Sequence, residues 1–214
     1  MFIGHWAPAL AVAAKRPTPS LGVLMVAGQL IDWAFFSLHI AGLEHMRFTP
    51  GISAMNPMDL YHMPYSHSLL GATGFGLLLA AYVWAGTKDR TAALLAAAVV
   101  VSHWFIDLLV HVPDLTLAGS PPKLGLGLWN HPLVEMPLEL AITFGALWYY
   151  ARNRQPATVR LWTLAALLLA LQAFNWFVPP PPEATASNSV MAIVAYALVT
   201  ITAVWMGKSA RAAA

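Results

Sequence analysis

Six apolar stretches, at positions 21–40, 68–86, 91–112, 133–151, 159–178 and 190–206, reach or approach the roughly 20 residues that cross a hydrocarbon core as a helix. Lipid offers no partner for backbone N–H and C=O groups, so a spanning segment must be a helix or part of a closed barrel, and runs of this length belong to helices. The chain is 59% hydrophobic and 9% charged, where a soluble domain carries about 25% charge. The expected fold is therefore all-α: a polytopic membrane helical bundle, with a short helix over 2–14 and six transmembrane helices behind it. With 214 residues, most of them in spans, the whole of 1–214 reads as one integral-membrane domain. Lys15-Arg16-Pro17-Thr18-Pro19-Ser20 breaks the short helix from the first span, and Ser20 has the chemistry of an N-cap. Longer loops fall at 41–67 and 113–132, and a tetraproline turn at 179–182.

Charge sets the expected orientation. Lys15, Arg16, Lys88, Arg90, Arg152, Arg154, Arg160, Lys208 and Arg211 fall at one set of helix ends, and only Arg47 and Lys123 at the other. The positive-inside rule makes the first set cytoplasmic. The basic residues are helix-end anchors, not a nucleic-acid patch. Cysteine is absent, which removes disulfides and thiolate ligands from consideration.

All eight histidines then fall on the outer side, together with Asp32, Asp107, Asp114, Glu135 and Glu139. The densest group is Ser102-His103-Trp104-Phe105-Ile106-Asp107-Leu108-Leu109-Val110-His111, where four-residue steps stack His103, Asp107 and His111 on one helical face. Ionisable groups at membrane depth are costly and mark ion paths, proton relays or metal sites. Imidazole and carboxylate without sulfur suit zinc, manganese or iron. Asp107 is the expected hub, because a carboxylate has two oxygens with which to bridge two metals. The alternative is a structural hydrogen-bond network between helices. His62 and His67, in His62-Met63-Pro64-Tyr65-Ser66-His67-Ser68, can converge on the same ion from a loop and a helix mouth. Asp32 is the one charge inside its span. His131 and Glu135 repeat the four-residue step, and Glu139 lies a turn deeper, as a ligand, an orienting group or a base. His39 and His45 read as interfacial.

The order His5, Asp32, His62-x4-His67-Ser68 and His103-Trp104-Phe105-Ile106-Asp107 resembles the YdjM-like family of predicted membrane-bound metal-dependent hydrolases. The family's motif, close to H-R-G-x-T-H-S, here reads HMPYSHS and lacks Arg-Gly. The resemblance covers roughly 1–150, the metal-site core; the last two spans, 159–206, carry no motif. More distantly, the order His5, Asp32, His62 or His67, His103-x3-Asp107, His111 and His131-x3-Glu135 resembles the ligand order of the zinc-dependent phospholipase C and nuclease group. That group binds three zinc ions in a helical bundle and also uses its processed N-terminal residue.

These resemblances imply a membrane hydrolase with two zinc ions, a third allowed, facing the periplasmic side of a bacterial inner membrane. Its expected ligands are His5, Asp32, His62, His67, His103, Asp107, His111, His131 and Glu135. Glu139 or Asp114 would serve as general acid or base, and Arg47 and Lys123 would meet the phosphate of a phosphoester or lipid-type substrate. A transporter would need ionisable residues continuing toward the cytoplasmic face, and the inner halves of all six spans are essentially apolar. A redox metalloprotein, di-iron or haem with His67 and His103 as axial ligands, is the main alternative, and a non-catalytic metal-binding membrane protein is another.

Overall fold

The computed structural model describes residues 1–16 and 18–210; Arg211, one of the basic residues used above, lies outside them. A 3-10 turn at Ile3–Trp6 leads into α1 (Ala7–Lys15) and then α2 (Leu21–Ile40). A hairpin of β1 (His45–Phe48) and β2 (Met58–His62) follows, then α3 (Leu69–Thr87) and α4 (Arg90–Val110). A second 3-10 turn at Leu128–Asn130 precedes α5 (Pro132–Arg154), α6 (Thr158–Phe177) and α7 (Ala186–Gly207). The bundle is all-α apart from the antiparallel hairpin, in which His45 faces His62 and Arg47 faces Asp59.

The helix boundaries have local causes. Ser20 Oγ accepts from Val23 N–H, Ser68 Oγ from Gly71 N–H and an Asp89 oxygen from Ala92 N–H, each satisfying a backbone donor that the first turn leaves free. Thr185 and Asn188 form a reciprocal capping box at the start of α7. Pro132 occupies the first turn of α5, where a missing N–H costs nothing.

Five helices, α2, α3, α4, α6 and α7, are long and apolar enough to cross a membrane. The sixth expected span forms as α5 but does not meet that standard, which corrects the count of spans. Glu135, Pro137 and Glu139 occupy its first turns and Arg152 and Arg154 its last. That polarity is turned inward: α5 packs along α1 and buries Glu135, Glu139 and Thr143. The protein is an integral membrane protein in contact with lipid. Leu77, Leu78, Leu94, Val159, Trp162 and Ile201 project from the outside of the bundle, as a lipid solvent permits.

The core gathers on α2, which packs against α1, α3, α4 and α7. Ile3, Trp6, Leu10, Leu24, Met25, Ile31, Phe35, Leu164 and Leu168 are fully enclosed there. At one end of the bundle the basic residues meet: Arg16 pairs with Asp89 at 3.0 Å, Lys15 donates to Asn153 at 3.2 Å, and Arg160 donates to the Trp205 carbonyl at 2.7 Å. The histidines and buried carboxylates occupy the opposite half. The long connection after α4 zips onto the start of α3, Leu69 and Leu70 donating to the Thr116 and Leu117 carbonyls.

Candidate metal centre

Four segments deliver the site. His5 comes from the N-terminal 3-10 turn, Asp32 from mid-α2, and His67 from the residue before the Ser68 cap of α3. His103 and Asp107 sit one turn apart on α4, and His111 caps its C-terminus. The N-terminal turn is fastened from three directions. A Glu139 oxygen accepts from Phe2 N–H at 2.5 Å and Gly4 N–H at 3.1 Å, Gln172 accepts from Ile3 N–H at 3.4 Å, and Gln29 donates to the Phe2 carbonyl at 3.1 Å. Gly28 makes room for it, since a Cβ there would lie 2.6 Å from the His5 carbonyl.

The side chains converge on Asp107. Its Oδ1 lies 3.0 Å from His5 Nε2, 3.3 Å from His111 Nε2 and 3.3 Å from the terminal amine of Met1. Its Oδ2 lies 3.0 Å from His103 Nε2 and 3.6 Å from His67 Nε2. Asp32 Oδ1 stands 3.4 Å from His67 Nε2 and 3.6 Å from His103 Nε2. Two sets of donors, His5–His103–Asp107 and Asp32–His67–His103, each keep their ligand atoms within 4.8 Å of one another. Two ligands 2.0–2.2 Å from one tetrahedral zinc lie roughly 3.3 Å apart, the spacing seen here.

Hydrogen bonds on the far side of the rings decide what faces inward. His103 Nδ1 is 2.9 Å from the Gly28 carbonyl, which only accepts, so Nδ1 carries a proton. His111 Nδ1 lies 2.9 Å from Asp114 Oδ1. His67 Nδ1 lies 2.9 Å from Ser66 Oγ, whose proton goes to Glu44 Oε2 at 2.5 Å, leaving its lone pair for His67. Each ring thus leaves Nε2 on the inner side, within 3.6 Å of an Asp107 oxygen. Metal-binding histidines are held by outer acceptors in this way.

Unpaired atoms mark the same place. His103 Nε2, both ring nitrogens of His5 and Asp107 Oδ2 are buried without a hydrogen-bond partner. His5 Nε2 is within ion-pairing distance of Asp107 yet misaligned for a hydrogen bond. Unsatisfied buried polar groups cost about 1–3 kcal/mol each, so several in one cluster need a common partner. The donor set fits a divalent ion.

The other candidates lie elsewhere. His62 is exposed on β2, its ring 5.5 Å from that of His45. His131 is exposed at the N-cap of α5. Glu135 is buried with both oxygens unpaired but belongs to neither donor set. Glu139 lines the cavity, yet one oxygen anchors the N-terminal turn and the other accepts from Gln172 at 2.8 Å. Asp114 serves His111. Arg47 bonds Asp59 at 2.7 Å and Lys123 bonds the Tyr61 carbonyl at 3.1 Å, both at the surface of the hairpin.

Sequence reasoning missed Glu44, Ser66, Gln172 and Tyr196. Tyr196, on α7, donates to Asp32 Oδ2 at 3.1 Å. Nothing in a helix without a motif points to it. Glu44 could have been found by its acidity in a loop two dozen residues ahead of His67, although only folding brings it under Ser66.

A cavity of about 450 Å³ opens onto Asp32, His67, Asp107 and His111. Its walls are mainly apolar, from α2, α6, α7 and the hairpin. In comparisons with family models, curated proteins and solved structures, nothing matches this chain. The functional reading therefore rests on the site itself.

Proposed function

We propose that this chain is an integral-membrane metal-dependent hydrolase, with a two-ion site (a third ion allowed) acting on a phosphoester or lipid-type substrate. The observation that carries this reading is the convergence of four histidine Nε2 atoms on Asp107 and Asp32, with buried atoms left unpaired among them. The resemblance to the YdjM-like hydrolases supports it from the sequence. Zinc suits the donors best, with manganese or iron as substitutes. The basic residues at the opposite end of the bundle favour the outer, periplasmic side of a bacterial inner membrane for the site.

His5, His103 and Asp107 would hold one ion, and Asp32 and His67, with His103 common to both donor sets, the other; His111 lies beside Asp107 Oδ1. When bound, such ions bring the pKa of a coordinated water toward about 7 and polarise a phosphoryl or carbonyl oxygen. The chain's own residues supply order. Gly28, Ser66 with Glu44, and Asp114 fix three imidazoles in the tautomer that leaves Nε2 free. Tyr196 holds Asp32, and Glu139 holds the turn that carries His5. Glu139 and Asp114 thereby act as positioning groups in preference to acid or base. Asp32, with 15% of its side chain accessible, is the most open of the candidate ligands that line the cavity.

Asp107 Oδ2 and Asp32 Oδ1 each lie within 3.6 Å of the Nε2 atoms of both His67 and His103, carboxylates that suit bare ions better than haem. The test is hydrolysis of p-nitrophenyl phosphate, bis(p-nitrophenyl) phosphate and phospholipids by zinc-loaded protein. Metal-dependent turnover that disappears in Asp107→Ala is expected; fully loaded protein inert toward all of them would overturn the hydrolase reading.

A further inference from the structure

The cavity does not stop at the polar cluster. Phe35 and Phe36 of α2 line it, then Leu171 and Phe174 of α6 and Met191, Ala195 and Leu198 of α7. Several residues of this wall are about half-exposed: Met191 50%, Val194 50%, Leu198 49% and Phe174 47%. The wall continues to the outer end of the bundle, where Pro179, Pro180 and Pro181 after α6, Asn188 at the start of α7 and Asn56 in the hairpin loop also line the cavity. Met191 and Ala195 lie about 8–14 Å along α7 from its first residue, at a rise of about 1.5 Å per residue. Asp32 lies about 12 Å below the end of α2 by the same measure. The apolar wall and the cluster thus share the depth of acyl chains.

We infer that this cavity is an acyl-chain subsite through which a membrane glycerophospholipid enters sideways between α2, α6 and α7, placing its phosphate against the Asp32–His67–Asp107–His111 end. The inference rests on the proposed metal centre for the phosphate contact, but the chain subsite stands on the walls alone. The mainly apolar walls match a methylene chain better than a water-soluble ester. About 450 Å³ falls within the usual range of ligand pockets, about 300–1,000 Å³. Two divalent ions against the two carboxylates Asp32 and Asp107 leave an excess of positive charge for a phosphate diester. The assignment also gives α6 and α7, which carry no motif, a role as the wall that selects the chain.

The experiment uses the full chain in maltoside micelles with phosphatidylglycerol bearing a diazirine in one acyl chain. Photolabelled residues are mapped by peptide mass spectrometry, and zinc is measured on the same sample. Labelling of Leu171, Met191 and Ala195 is expected, competed at least tenfold by dioleoyl but not by dihexanoyl phosphatidylglycerol. Ala195→Trp should abolish it with zinc content unchanged; Ala192→Phe blocks the same wall if the tryptophan variant fails to fold. Labelling confined to outward residues such as Leu77, Leu78 and Ile201, or unaffected by filling the cavity, overturns the subsite even when zinc is bound. Competed cavity labelling in a protein that takes up no metal would uphold the subsite and overturn the metal centre instead.

Discussion

His5 and His103 lie face to face, ring centroids 3.6 Å apart and planes 12° from parallel, and each places Nε2 3.0 Å from an Asp107 oxygen. One ring comes from the N-terminal turn and the other from α4. The stack is held from outside: Gly28 accepts from His103, and the His5 backbone passes close over the same glycine.

The relay behind His67 gives the first prediction. Glu44 is fully buried and accepts from Tyr65 N–H, Ser66 N–H and Ser66 Oγ. Groups that orient a metal-binding histidine typically contribute 10–100-fold in affinity. Glu44→Gln and Ser66→Ala should each weaken zinc binding by about that factor, read by competition with a chelating dye. Unchanged affinity in both variants would remove the relay from the site.

Glu139 acts through the N-terminal turn. Glu139→Ala leaves Phe2 N–H, Gly4 N–H and the Gln172 amide without an acceptor, at about 1–3 kcal/mol for each group that finds no water. The variant should unfold at lower temperature and bind zinc more weakly, because His5 is released. Glu139→Gln keeps one acceptor oxygen and should lose less. Thermal unfolding followed by tryptophan fluorescence separates the two.

Tyr196→Phe removes the hydroxyl that holds Asp32. The expected cost is about 0.5–1.5 kcal/mol of stability. Turnover should fall more than zinc content does, since Asp32 still ligates but from a looser position. A variant with wild-type turnover would show that Asp32 needs no such support.

Chelation has a stability signature. A ligand at about a thousand times its Kd stabilises the folded state by about 4 kcal/mol. Removing zinc with EDTA should therefore lower the unfolding temperature of the wild type and leave that of Asp107→Ala nearly unmoved. Equal shifts in the two proteins would place the metal elsewhere.

His62→Ala and His131→Ala should keep full metal content, because both rings are exposed and away from the two donor sets. Elemental analysis of the two variants checks this. Period and hydropathy locate the helices well: α2 matches its expected limits, and α3, α4 and α6 fall within two residues of theirs. The four-residue step on α4 correctly brings His103 and Asp107 together, because helical geometry fixes that contact locally. The same step at His131 and Glu135 does not, because Pro132 starts α5 just after His131 and leaves it outside the helix. Hydropathy gives no sign of the β-hairpin inside the loop at 41–67, which carries His62 away from His67 to face His45. Glu44, Tyr196 and Gln172 reach the site only through tertiary packing, which no local spacing encodes.

The most direct measurement is the metal content of the wild-type protein, purified without a histidine tag and analysed elementally before and after zinc supplementation. The account predicts about two ions per chain, three at most, and the loss of at least one in Asp107→Ala. A folded wild-type chain that holds no metal even after supplementation would contradict it and leave the histidine cluster as a buried polar network.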